Sequence, residues 1–169
     1  MNMIKSIDQI LRKIEENAIA ILLMLMTFIT FWQVINRFIL KEPLHWSEEL
    51  SRYLSIWAAF IGASLGVKKG AHIGVEAFVA ILPKTIQRYV YIITTVFCFI
   101  FCGAIAYIGY GYCIKLISTG QLSPAMRIPI VLAYAAVPVG CFMMALRYVL
   151  LLIQEIANYK KEIKEGECN

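Results

Sequence analysis

The residues able to do chemistry are few, and little in their spacing lets them cooperate. The chain holds two histidines, His45 and His72, and five cysteines, Cys98, Cys102, Cys113, Cys141 and Cys168. No Cys-x-x-Cys pair occurs. Cys98 and Cys102 stand one helical turn apart, but no histidine or third cysteine lies close in sequence to complete a metal site. No serine, aspartate and histidine fall together as a nucleophilic triad requires. A charged cluster lies at Glu48, Glu49 and Arg52, where the arginine follows the two carboxylates by four and three residues. On a helix those three side chains share a face and can meet. With Arg37 opposite, they form a cluster of two cations and two anions. Such a cluster can staple two elements together or offer a docking surface to a partner.

Four apolar runs must position that cluster: residues 18–40, 50–67, 89–118 and 129–154. About 20 apolar residues cross a hydrocarbon core of about 30 Å as a helix. Inside lipid each backbone amide needs an internal partner, so each run is read as a transmembrane helix. The composition, 60% hydrophobic and 16% charged, fits this reading and leaves no room for a soluble catalytic domain. The predicted fold is all-α, a single integral-membrane four-helix bundle over residues 1–169.

The net charge of +5 sorts by side rather than into a nucleic-acid patch. With the N-terminus inside, the inner segments carry ten cations: Lys5, Arg12, Lys13, Lys68, Lys69, Lys84, Arg88, Lys160, Lys161 and Lys164. The outer segments carry five: Arg37, Lys41, Arg52, Lys115 and Arg127. This bias predicts that both termini are cytoplasmic. His45 and His72 then fall on opposite sides of the membrane and cannot share a site. No span contains a histidine that could ligate haem. Every Asp and Glu reads as lying in a connector, at a span end or in a tail, so no acidic ion pathway is expected. The sequence argues against an enzyme.

The remaining signals concern packing. Ile4, Ile7, Leu11, Ile14 and Ala18 alternate with charges, predicting an amphipathic interfacial helix over 3–17; a plain extension of the first span is the alternative. The first span ends without the small residues of a signal-peptidase site, so it is not read as a cleaved signal. Trp46 fits an interfacial anchor and Ser47 an N-cap for the second span. Ala58, Gly62 and Gly66 repeat every four residues, predicting a face on which another helix packs closely. An inner connector holding Lys69, Gly70 and His72 leads to a second amphipathic segment, 73–82. Pro138 is expected to kink the fourth span, and Arg147 to snorkel toward the inner headgroups.

Three blocks resemble one family. Trp46-Ser47-Glu48-Glu49-Leu50-Ser51-Arg52-Tyr53-Leu54, followed by Trp57 and Gly62-Ala63, is similar to the small membrane subunit of tripartite ATP-independent periplasmic (TRAP) transporters. So are Gly70-Ala71-His72-Ile73-Gly74-Val75 and Ser123-Pro124-Ala125-Met126-Arg127-Ile128-Pro129, the latter followed by Tyr134 and Pro138. The blocks occur in the family's order. The resemblance implies a non-catalytic scaffold in a bacterial inner-membrane importer of organic acids, of the C4-dicarboxylate or sialic acid class. Its implied partners are a large elevator-type membrane subunit, a periplasmic substrate-binding protein and membrane lipid. The implied Na+ coupling belongs to the large subunit, with no cofactor in this one. Arg127 is a candidate contact for the periplasmic partner.

Overall fold

The computed structural model describes residues 2–41, 44–70 and 84–166. Helix α1 is Asn2–Ile35 and runs directly into a π-helical turn, Asn36–Leu40. Helix α2 is His45–Gly70 and α3 is Lys84–Thr119. A short α4, Val131–Tyr134, precedes α5, Ala136–Gly166. Four stretches are long and apolar enough to cross a membrane: Asp8–Ile39, His45–Val67, Tyr89–Thr119 and Val131–Glu155. His72 and the 73–82 segment lie outside the described residues.

The extensive pairings are α1 with α2, α2 with α5 and α5 with α3. The order across the bundle is therefore α1–α2–α5–α3, an open row with α2 and α5 in the middle. Heptad spacing explains how α1 docks. Its less exposed residues are Glu15, Ile19, Leu22, Met26, Ile29, Gln33 and Asn36, alternating steps of four and three. That is the spacing of a knobs-into-holes seam. The opposite side of α1 is apolar and exposed, with Met24, Phe28 and Phe31 each more than 60% accessible. In water this face would be untenable; in lipid it is the expected surface.

Residues 3–17 are not a separate helix. They continue α1 without a break, because the same stripe that docks the span extends back to Glu15 and Asp8. At the other end, the Asn36 side chain donates to the Trp32 carbonyl at 2.9 Å and takes an acceptor from the helical ladder. The π turn starts at this residue, where a side chain competes with the backbone for one carbonyl. Lys41, at φ 57, ends the turn in the left-handed region.

Pro138 interrupts the last span at Ala135, three residues before itself. A proline cannot donate to the carbonyl four residues back, here Tyr134, and its ring crowds that carbonyl. The proline also permits a close approach. A Cβ on Gly109 of α3 would sit 3.2 Å from Pro138 Cδ, so glycine there lets α3 rest against the proline ring. The tightest contact is between α2 and α5, where a Cβ on Gly140 would lie 2.6 Å from Phe60 Cβ.

The Ala58, Gly62 and Gly66 stripe receives no closely packed helix from within this chain. A Cβ on Gly62 would meet only Ile19 Cδ1, at 4.0 Å, and one on Gly66 would meet nothing within 4 Å. Ala58 is buried, whereas Ala59, Ala63 and Gly66 are exposed. Within this chain, close backbone approach runs through Gly140 and Gly109, and the small-residue face of α2 points largely outward.

Candidate functional site

The N-terminal end of α2 organises the charged cluster, with different partners from those the spacing suggested. Glu49 turns toward the connector between α3 and α4. Its carboxylate accepts from the Tyr53 hydroxyl at 2.7 Å and from the backbone amides of Ala125 and Met126 at 2.9 and 3.1 Å. Two of those donors lie more than 70 residues away in sequence. The connector is itself ordered by backbone bonds: Ser123 N–H donates to the Ile128 carbonyl at 2.8 Å and Ile130 N–H to that of Gln121 at 3.1 Å. Glu49 thus helps close the turn, sharing the Met126 amide with the Ser123 hydroxyl, which accepts from it at 3.3 Å. One helical turn further along α2 than Tyr53, Trp57 Nε1 donates to the Leu132 carbonyl at 2.9 Å. Glu49, Tyr53 and Trp57, spaced by four, hold the outer connector and α4 from one face.

Glu48 faces the other way. It accepts from Gln33 Nε2 of α1 at 3.1 Å, and beside it Thr30 and Ser51 hydroxyls lie 3.3 Å apart. Spans one and two are therefore joined at their outer ends by neutral-to-charged hydrogen bonds. No carboxylate of Glu48 or Glu49 lies within ion-pair distance of Arg37 or Arg52 among the described residues. The two carboxylates point to opposite sides of α2, and each is taken by a nearer donor. Arg37 and Arg52 project outward, Arg37 over the Phe38 ring at 6.0 Å. Ser47 is buried but does not cap: α2 starts at His45, and the Ser47 hydroxyl donates back to the Leu44 carbonyl at 2.7 Å. Trp46 is exposed beside it.

Two grooves flank this end of α2. The larger, about 640 Å³, has His45, Arg52 and Glu48 at its polar rim and Ile56, Phe60, Tyr134 and Val137 on its apolar wall. The smaller, about 420 Å³, is bounded by Gln33, Arg37, Lys41, His45 and Glu48. Arg127 stands exposed in the outer connector at φ 55, its amide donating to the Ser123 carbonyl at 3.1 Å. Lys69 and Gly70 end α2 on the opposite side of the bundle.

One site was missed in the sequence. Arg147 does not reach for headgroups; it is 3% exposed and paired. Its Nε donates to Glu15 Oε1 at 3.3 Å, its Nη2 contacts Glu15 Oε2, and its Nη1 lies 3.4 Å from Asp8 Oδ1. The Ser64 hydroxyl donates to the same Glu15 oxygen at 2.7 Å. Glu15, 1% exposed, sits where α1, α2 and α5 meet, so acidic groups are not confined to connectors and span ends. The available signal was the place of Glu15 on the seam of α1. Cys98 and Cys102 on α3 lie beside Tyr148, and Cys141 on α5 lies near Cys102, yet no group of three metal-ligating residues forms among the described residues.

A family model described as the DctQ component of tripartite ATP-independent periplasmic transporters matches residues 26–158. The chain belongs to this family. The DctQ match takes in the outer cluster, the ordered connector and Arg147. The ectoine TRAP transporter small permease protein TeaB of Halomonas elongata is 29% identical over 153 residues, 90% of this chain and 79% of that protein. The C4-dicarboxylate TRAP transporter small permease protein DctQ of Rhodobacter capsulatus is 30% identical over 62% of this chain, which spans 46% of that relative. The sialic acid TRAP transporter small permease protein SiaQ of Vibrio cholerae is 27% identical over 63% of this chain and 62% of its own length. The isethionate TRAP transporter permease protein DctMQ of Oleidesulfovibrio alaskensis matches over 80% of this chain and 21% of its own length. The DctQ family and the four apolar helices make this a multi-pass protein of the inner membrane.

Proposed function

We propose that this chain is the non-catalytic small subunit of a Na+-coupled TRAP importer and braces a large elevator-type membrane subunit. The observation that carries the reading is the family match over four packed spans whose polar groups are engaged in holding the helices to one another. The open row supports it. Both end helices leave apolar faces uncovered, and α2 presents Ala59, Ala63 and Gly66, small residues that suit close approach by a partner helix. The larger size of DctMQ, in which this chain corresponds to only a fraction, suits a small unit joined to a bigger permease.

The transported solute is an organic acid or a related small polar solute, and its choice rests with the other components. Relatives named for ectoine, C4-dicarboxylates and sialic acid share this small-subunit pattern. Both termini face the cytoplasm, following the ten-to-five bias in cations. The outer connector then faces the periplasm, and Arg127 with Arg52 offers exposed positive charge to a substrate-binding protein. The test is reconstitution. Proteoliposomes with the large subunit, this chain and the binding protein should take up solute under an inward Na+ gradient. Liposomes with this chain alone should show none, and uptake there refutes the proposal, as does full uptake with this chain omitted.

A further inference from the structure

The seam between α1 and α2 is apolar through its middle, at Ile19, Leu22, Met26 and Ile29. A seam of alternating four and three steps looks much the same after a slip of one turn, and apolar contact alone selects weakly between registers. Lipid deepens the problem, since tails solvate a slipped helix as well as a docked one. Glu15 differs from every other position on the seam. It is the most buried acidic residue described, and it meets donors from two other helices, Ser64 on α2 and Arg147 on α5.

We propose that the Glu15–Arg147 pair is a register lock: it sets how far along α2 and α5 the first helix docks. α1 is continuous from Asn2 to Ile35, so a displacement at Glu15 travels to the far end of the helix. One turn corresponds to about 5.4 Å. The lock therefore fixes the height of the π turn and of the Gln33–Glu48 contact from the opposite end of the helix. A polar group specifying register in an otherwise permissive seam is the best-attested use of buried charge. It also explains how Arg147 stays within an apolar span, where an unpaired charge is strongly disfavoured.

The test is cysteine cross-linking in the full chain, with the five native cysteines replaced. Ile19→Cys is combined in turn with Ala58→Cys, Gly62→Cys and Gly66→Cys, one turn apart on α2; a Cβ on Gly62 lies 4.0 Å from Ile19 Cδ1. With the lock intact, the 62 pair should cross-link at least fivefold more than the other two. In Glu15→Leu/Arg147→Leu with Asp8→Asn, yields should even out to within about twofold while helical content is kept. Should that variant fail to fold, Glu15→Arg/Arg147→Glu with Asp8→Asn keeps opposite charges and should restore the preference for 62. A leucine variant that still cross-links only at 62 overturns the proposal, and so does a charge-swapped chain without that preference.

Discussion

Adding one methyl at Gly140 tests whether close packing lies between α2 and α5. A Cβ there would stand 2.6 Å from Phe60 Cβ and 3.2 Å from the Phe60 carbonyl carbon. Ordinary contact begins at 3.4 Å, so the two helices must part by about 0.8 Å or α5 must rotate. The obstructing atoms are Phe60 Cβ and its carbonyl carbon, which no rotamer can move, together with the ring Cδ1 at 3.1 Å. Overpacking of this kind costs about 1–3 kcal/mol. Alanine also gains about 1 kcal/mol of helix propensity over glycine, which blurs the absolute effect. Gly66→Ala takes the same gain with no atom within 4 Å, so the difference between the two variants isolates the clash. At roughly 2–4 °C per kcal/mol for a chain of this size, Gly140→Ala should melt roughly 2–12 °C below Gly66→Ala. The assay is thermal unfolding of the purified chain in detergent, followed by far-ultraviolet circular dichroism. Equal melting temperatures refute the assignment. Phe60→Ala should not rescue, because its Cβ remains; a full rescue would show that only the ring was in the way.

Glu49→Ala removes the carboxylate acceptor from the Ala125 and Met126 amides, leaving Met126 only the Ser123 hydroxyl; faster hydrogen exchange confined to residues 123–130 is expected. Unchanged exchange there would show that the turn holds without the carboxylate. Arg52→Glu and Glu48→Arg should each shift stability little and combine additively within about 0.5 kcal/mol, since the two side chains face different partners. A double-variant coupling above that would restore the ion pair expected from spacing. Arg127→Glu should leave the melting temperature within about 1 °C and lower the uptake rate in the reconstituted system, with the loss relieved at a higher concentration of binding protein. Uptake indifferent to this reversal would remove Arg127 from the periplasmic contact.

The spans were legible because bilayer thickness sets helix length, and each apolar run is long enough to cross. The outer cluster was legible in place but not in pairing. Intervals of three and four put Glu48, Glu49 and Arg52 on neighbouring rows, yet Glu49 bonds to amides that only the folded connector brings near. Local spacing reports what can meet on one helix and is silent about donors arriving from elsewhere. The same holds for Gly140 and Gly109, which belong to no repeat and gain meaning only from Phe60 and Pro138 on the facing helices. Gly62 and Gly66 do form a repeat, but a repeat shows only that a face is smooth, not which helix uses it. Arg147 looked like a snorkelling residue because an arginine near the end of an apolar run usually is one. Its real partner is 132 residues earlier in the chain.

These corrections share a physical cause that bears on the bracing role. With no water to drive apolar faces together, helices in lipid are located by close backbone contacts and by polar groups that find partners only in one arrangement. Here both devices converge on α5 and α2. Trp57 and Glu49 pin the outer connector and α4, Gly140 sets the central spacing, and Arg147 closes the arrangement at the other end. A row held at both ends and in the middle resists shear, whereas one held only by leucine and isoleucine contacts would slide. Resistance to shear suits the proposed role of bracing a subunit that moves across the membrane. Among the buried polar residues described, Glu15, Ser64 and Arg147 join different helices, whereas Asn36, Ser47 and Thr95 bond to carbonyls three or four residues back.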